Sequence, residues 1–326
     1  MARRATKIKN ISIENLTVFK NMESQFCDGV NVLIGENGTG KTHLLKLFNL
    51  FGAVAGTPID VNKWFSLFMP LFDGTFMPIE VTEMNPPKIS INDVVVYDKS
   101  LADTALKSWS GVTHIHPVFI PAKEMLSMSD ITRIHEVYSH QMRIDITLTD
   151  IIRYANVMRP NKIPKLAKAT AASLENIIGG TVYINPNDKN FWMQKRNGEQ
   201  IPFILEAEGF RKLGLLWQLL MNEGIHEETV LLWDEPEANL NPSIIPVVVE
   251  VLLKLSRFGL QVFVATHDYL FAKYFEVKAK ENDKIMFHSL YMTNEGVKCE
   301  NCSSFRDLKN NPIISTFDAL MSEVIG

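Results

Sequence analysis

Residues 35–42, Gly35-Glu36-Asn37-Gly38-Thr39-Gly40-Lys41-Thr42, satisfy G-x-x-x-x-G-K-[ST] in full. Glycines at that spacing let the backbone wrap an anion closely, through torsions that a side chain would block. Successive N–H groups and the positive end of a following helix then face a phosphate. Lys41 supplies a point charge to the β- and γ-phosphates of a nucleotide, and Thr42 a hydroxyl to Mg²⁺. The candidate nucleotide contacts are therefore Glu36, Asn37, Gly38, Thr39, Gly40, Lys41, Thr42 and His43. An ordinary glycine-rich turn is the competing explanation, and the complete pattern argues against it.

A second chemical signal is Leu231-Leu232-Trp233-Asp234-Glu235-Pro236. Adjacent carboxylates at the end of an apolar strand repel and are costly to desolvate, so packing explains them poorly. Beside a magnesium nucleotide they make sense. Asp234 holds the metal, with Thr42, and Glu235 polarises the attacking water as general base. A third signal is His267, which follows the apolar run Gln261 to Ala265. A lone histidine after a strand is more often structural than catalytic. This one comes 32 residues after Glu235 with a helical stretch between, which should bring both to one sheet edge, where ligands collect in open α/β folds. There His267 donates to the γ-phosphate or holds the attacking water.

These residues need a scaffold of parallel strands, and the hydrophobic pattern supplies one. Ile8 to Ile13 alternates, Val30 to Ile34 is an apolar run ending at Gly35, and His43 to Phe51 has helical spacing. Residues 52–115 mix aromatics (Trp64, Phe65, Phe68, Phe72, Phe76) with Asn85-Pro86-Pro87 and a strand at Val94 to Tyr97, and suit a peripheral excursion. Val118 to Ile120 looks like a buried strand. Ala122 to Ile178 is helical in pattern and free of glycine, as expected of an inserted arm of two or three helices, with Gly179-Gly180 ending it. A hairpin follows, Val182 to Ile184 and Phe191 to Gln194, then a helix over Glu206 to Met221. Val230 to Trp233 and Gln261 to Ala265 suit parallel strands buried on both faces, with the helical Ser243 to Leu255 between them.

Composition narrows the class. The 326 residues are 46% hydrophobic and 21% charged, enough for a sizeable core and incompatible with wholesale disorder. The net charge of -4 gives no global reason to expect nucleic acid or an anionic membrane. Three cysteines are too few for a disulfide framework, and Cys299-Glu300-Asn301-Cys302 is only half a zinc site. No secretory signal or membrane-spanning run is visible, so the expectation is a soluble, cytoplasmic protein without a membrane partner. Ile151 to Thr170 carries Arg153, Arg159, Lys162, Lys165 and Lys168 and no acidic residue. A nucleic-acid or partner-binding face competes there with a solvated helix face.

The phosphate loop, the Asp234–Glu235 pair, the following Ala238-Asn239-Leu240-Asn241-Pro242 and His267 together resemble the ABC-type ATPase superfamily, in its RecF/SMC/Rad50-like and OLD-like branch. The resemblance covers most of residues 8–50 and 200–326. The 193 residues from Lys41 to Asp234 fit it, since such heads place a helical arm in that interval. It implies an α/β P-loop fold: an ABC-like head over residues 1–121 and 179–326, with a helical arm over 122–178. It also implies ATP and Mg²⁺ as ligands, ATP hydrolysis, and a homodimer or higher oligomer formed through the nucleotide interface. Residues 238–242 look like a D-loop. Glu208 and Gly209 stand where the signature of such heads offers serine and glycine to a partner's γ-phosphate, and Arg211 and Lys212 are available to offset the extra carboxylate. Pro121-Ala122-Lys123-Glu124 follows the right strand for a Q-loop but lacks its glutamine.

The stretch Ala207-Glu208-Gly209-Phe210-Arg211-Lys212, close before Asp234-Glu235-Pro236-Glu237, is similar to anti-phage ATPases often encoded beside a separate nuclease or toxin. The resemblance thus implies antiviral defence through a separate effector. The alternative is a RecF-like repair or recombination clamp that binds DNA directly. A transporter motor fits poorly, and the absence of a long heptad tract excludes a coiled-coil SMC arm.

Overall fold

A computed structural model describes residues 7–54, 87–98, 115–128 and 146–325. The aromatic stretch at 64–76, Asn85-Pro86 and the middle of the expected arm, 129–145, lie outside the described residues. Strands β1 (Asn10–Leu16) and β2 (Phe19–Gln25) pair antiparallel, and β3 (Val30–Gly35) leads through the glycine-rich loop into α1 (Lys41–Val54). The hairpin β4 (Lys88–Ile91) and β5 (Val94–Asp98) adds to β1, giving an antiparallel sheet in the order β2-β1-β4-β5. After β6 (His116–Ile120) come α2 (Ile146–Ala155) and α3 (Lys165–Ile178), the latter closed by Gly179 at φ 68. A small antiparallel sheet, β7 (Gly180–Ile184), β8 (Phe191–Lys195) and β9 (Gln200–Pro202), precedes α4 (Glu208–Met221). The remainder alternates: β10 (Thr229–Asp234), α5 (Ile245–Arg257), β11 (Gln261–Thr266) and α6 (Tyr269–Lys278). It ends with the hairpin β12 (Ile285–Thr293) and β13 (Gly296–Cys302), then α7 (Pro312–Ile325).

The central sheet has the order β13-β12-β3-β11-β10-β6. Its members from β12 to β6 are parallel, and only β13 runs against its neighbour. The expected strands at 30–34, 118–120, 230–233 and 261–265 are all in it. Both faces are buried, and each strand divides its residues between them with period two. Val30, Val32, Ile34, Leu231, Trp233, Val262 and Val264 join a core with α3, α4 and α5. Leu33, Leu232, Phe263 and Ala265 face α1 and the four-stranded sheet instead.

Helix α1 buries Leu44, Leu45, Leu47 and Phe48, the stripe that its spacing predicts. Helices α2 and α3, within the span expected as an arm, do not stand clear of the head. Ile151, Ile152, Leu166 and Leu174 belong to the same apolar cluster as Leu216 and Val248. Pro246, which interrupts the apolar run in the sequence, sits in the first turn of α5, where its missing N–H costs nothing. Among the described residues, no helix is long and apolar enough to cross a membrane.

One buried polar side chain stitches the N-terminal strands to the sheet. Gln261, at the start of β11 and 1% exposed, accepts from the Ile8 N–H at 2.8 Å and donates to the carbonyls of Ile8 and Cys27 at 2.6 and 2.8 Å. Gln261→Leu keeps the volume and strands three backbone groups, so it should cost about 1–3 kcal/mol. A lower urea midpoint at unchanged slope is the expected reading, and an unmoved midpoint would refute the role.

Candidate active site

The order β3-β11-β10 places three carboxyl ends side by side, and each carries one of the chemical signals. The glycine-rich loop leaves β3, His267 leaves β11, and Asp234 closes β10. Register makes this specific, because Ile34 lies opposite Thr266 and Ala265 opposite Asp234.

Within the loop, Gly38 and Gly40 adopt φ of 82° and 87°, the left-handed region that other residues enter at a cost. A Cβ on Gly40 would also lie 2.5 Å from the Phe19 ring, so the β1–β2 turn rests directly on the loop. Thr39 donates its hydroxyl to the Glu36 carbonyl at 2.8 Å. Lys41, 7% exposed, folds its ammonium back onto the carbonyls of Gly35 and Glu36 at 2.7 and 3.0 Å. Burial lowers its pKa while Asp234, Glu235 and Glu237 oppose that shift. It is thus a charge held ready at the loop's centre. His43, on the first turn of α1, is driven down to about 4 by burial and is neutral at physiological pH.

Thr42 Oγ1 donates to Asp234 Oδ2 at 2.8 Å, across 192 residues of sequence. This hydroxyl–carboxylate pair is the hard-oxygen donor set that Mg²⁺ takes. Among the described residues no group of three His, Cys, Asp or Glu could cage a metal. Burial raises the Asp234 pKa, and the Thr42 hydroxyl counters it.

Glu235 and His267 meet, with His267 Nδ1 3.3 Å from Glu235 Oε1 and both side chains partly open to solvent. Glu235 has φ 45, a strained value for a residue with a side chain, and its N–H donates to the Ala265 carbonyl at 2.9 Å. The turn after β10 is thereby tied to β11, and the Glu235 carboxylate is directed at the histidine. Asp268 caps α6 by accepting from the Phe271 N–H at 2.6 Å, which fixes the loop on the far side of His267. Beside Glu36 and His267 a groove of about 360 Å³ opens, walled on its other side by Ile313, Phe317 and Leu320 of α7.

Glu237 and Thr266 carry no role in the sequence pattern, yet both stand at this edge. Thr266 donates its hydroxyl to Glu237 Oε1 and accepts from the Asp268 N–H at 3.0 Å. Burial pushes Glu237 up to about 7. Its nearness in sequence to Asp234 and Glu235 was the available signal. Glu124, at the Q-loop position, is buried and accepts from the Ser127 N–H at 3.2 Å as well as from Leu126.

Several basic residues are corrections. Arg211 and Lys212, expected to offset Glu208 before a partner's phosphate, turn into their own chain. Arg211 Nε pairs with Glu124 Oε2 at 3.5 Å, and Lys212 donates to the Glu235 carbonyl at 3.0 Å. Arg159, expected on an open basic face, lies over the Trp217 ring at 4.6 Å and donates to Gln218 and the Val182 carbonyl. Of its neighbours, Arg153 pairs with Asp150 at 3.1 Å, while Lys162 and Lys168 are exposed. Glu208 opens α4, but the N-cap is Ala207 with no side-chain capping bond, so Glu208 is not the cap. Gly209 is packed so that a Cβ would sit 2.5 Å from the Asn239 carbonyl, tying α4 to the D-loop-like segment. Cys299 is a half-buried thiol raised to about 11 by desolvation, and its Sγ donates a hydrogen bond to Ser24 Oγ at 3.5 Å.

Comparison with known proteins agrees with this geometry. Residues 7–108 match the family described as "AAA ATPase domain". Residues 112–272 match the one described as "AAA domain, putative AbiEii toxin, Type IV TA system". The chain is similar to a solved SMC head bound to the C-terminal winged-helix domain of ScpA, with TM-score 0.53 and 12% identity over 92% of this chain and 99% of that one. The fold is that of an ABC-like P-loop ATPase head. The SMC head domain from Thermotoga maritima also matches, with TM-score 0.48 and 13% identity over 91% of this chain and 99% of that one. A 49-residue stretch is 45% identical to the DNA double-strand break repair Rad50 ATPase of Methanosarcina mazei, covering 14% of this chain and 5% of that protein.

The elevated Glu237 gives a pH test. In the folded chain this carboxyl holds its proton up to about 7, whereas the unfolded value is 4.5. The folded state binds more protons in that window, so this group's stabilisation is present below pH 4.5 and is lost as pH rises through 7. Glu237→Gln keeps an acceptor for Thr266 and removes the titration. Chemical denaturation from pH 5 to 8 should show a stability slope on the order of 1 kcal/mol per pH unit that the variant lacks. Parallel slopes for the two proteins would rule the assignment out.

Proposed function

We propose that this chain binds Mg·ATP and hydrolyses it at a site completed by a second copy, using the cycle to switch a separate effector in anti-phage defence. The observation that carries the ATPase reading is the pair of contacts Thr42–Asp234 and Glu235–His267 on either side of the Lys41 loop. Thr42 and Asp234 would hold Mg²⁺, which would supply charge neutralisation to the nucleotide's phosphates. Lys41 exchanges its two loop carbonyls for the phosphate oxygens, and residues 36–43 cradle them. Glu235 takes the proton of the attacking water, and His267 orients that water or donates to the γ-phosphate.

Glu208 and Gly209, at the N-terminus of α4, are assigned to the nucleotide of the second copy, which is the basis for dimerisation. The match of residues 112–272 to a family described as a putative AbiEii toxin of a type IV toxin–antitoxin system supports the defence reading. Direct DNA binding through residues 151–170 is less favoured, because Arg153 and Arg159 are engaged within the chain.

Lys41→Ala should weaken ATP binding at least about 100-fold in calorimetry, since it removes the charge facing the phosphates. Glu235→Gln should keep that affinity, lose about 100-fold or more in kcat, and accumulate an ATP-bound dimer in sedimentation. Wild-type turnover in Glu235→Gln would dismiss Glu235 as the base. Plating of phage on cells carrying the chain with its neighbouring genes tests the biological role. Protection that survives Lys41→Ala would separate defence from nucleotide turnover.

A further inference from the structure

The structure assigns Lys212 the part of a positioning residue for the general base, holding the Glu235 peptide in its left-handed conformation and joining it to the first turn of α4; this rests on the ATPase reading above. Lys212 is 1% exposed although it is a lysine. It falls on the apolar face of α4, three residues after the buried Gly209 and four before the buried Leu216. A solvated lysine would not be found there. Its Nζ donates to the Glu235 carbonyl at 3.0 Å. The Glu235 N–H is held by the Ala265 carbonyl, so the two sides of this residue are fixed from different elements. At φ 45 the residue does not stay in place by its own preference, and the two bonds supply the constraint.

The charge matters as well as the bond. Asp234, Glu235, Glu237 and Glu208 all act on the Lys212 ammonium. An apolar side chain would leave the Glu235 carbonyl without this donor and three carboxylates of one turn without this cation. Two further contacts fix the helix that carries Lys212. Arg211 pairs with the buried Glu124, four residues beyond β6, and Gly209 abuts the Asn239 carbonyl. A movement of the first turn of α4 is therefore transmitted to the peptide that aims the base. Lys212 touches neither nucleotide nor water in this scheme and acts only through Glu235.

The test measures kcat, KM and nucleotide affinity for the full chain with Lys212→Met, Lys212→Gln and Lys212→Arg, each checked by thermal unfolding. Lys212→Met should lose roughly 30-fold or more in kcat while ATP affinity stays within about threefold. Lys212→Arg should recover most of that loss, and Lys212→Gln, which keeps a donor without the charge, should fall between. A kcat within about twofold of wild type for Lys212→Met would overturn the proposal. So would a parallel loss of kcat and affinity, or an arginine variant no better than methionine. If Lys212→Met does not fold, glutamine and arginine carry the comparison. Lower kcat for glutamine at equal affinity supports the role, and equal rates overturn it. Wild-type protein that neither binds nor turns over ATP would overturn the ATPase reading itself, before any variant is compared.

Discussion

Asp234, Glu235 and Glu237 fall within four residues where β10 ends, and Asp234 and Glu237 are almost fully buried. Three carboxylates so close together would protonate or unfold the turn unless something faced them. Two buried ammonium groups do so. Lys41 comes from the phosphate loop on one side and Lys212 from α4 on the other, and each feels all three acids. The balance remains incomplete, because burial still raises Asp234 and brings Glu237 to about 7. A cation beside these acids would act on the same imbalance.

The sheet explains why these groups converge. A parallel strand delivers its carboxyl end to the same edge as its neighbours, and short loops leave there with backbone groups to spare. Here the edge receives an anion cradle from β3, an acid cluster from β10 and a histidine from β11. Hydrogen bonds across the edge, from Thr42 to Asp234 and from Thr266 to Glu237, tie the three loops together. The site is therefore a property of strand order, and helices such as α4 adjust it from outside.

The glycine-rich loop, the acidic pair and the histidine stand out in the sequence because each is local and its chemistry is hard to explain otherwise, and the strand order brings them to one edge. The buried parallel strands were legible because Val30 to Ile34, Val230 to Trp233 and Gln261 to Ala265 are apolar on both faces. Charged side chains were read less well. Arg159, Arg211 and Lys212 were placed toward solvent or a partner, since long cations usually are exposed. Each instead found an internal partner far away in sequence, such as Trp217 for Arg159 and the Glu235 carbonyl for Lys212. Helical phase alone would have warned of Lys212, because it shares a face with Gly209 and Leu216. The glycine-free span 122–178 suggested an arm, and composition carried no signal that α2 and α3 pack into the core of the head.

Lys41 bonds the carbonyls of Gly35 and Glu36, only six and five residues before it. The acid that Thr42 meets lies 192 residues further along the chain. At ordinary synthesis rates that distance is roughly 10–40 s of translation. Throughout that interval both carbonyls that hold the lysine in the folded chain are already synthesised, whereas the acid beside Thr42 is not.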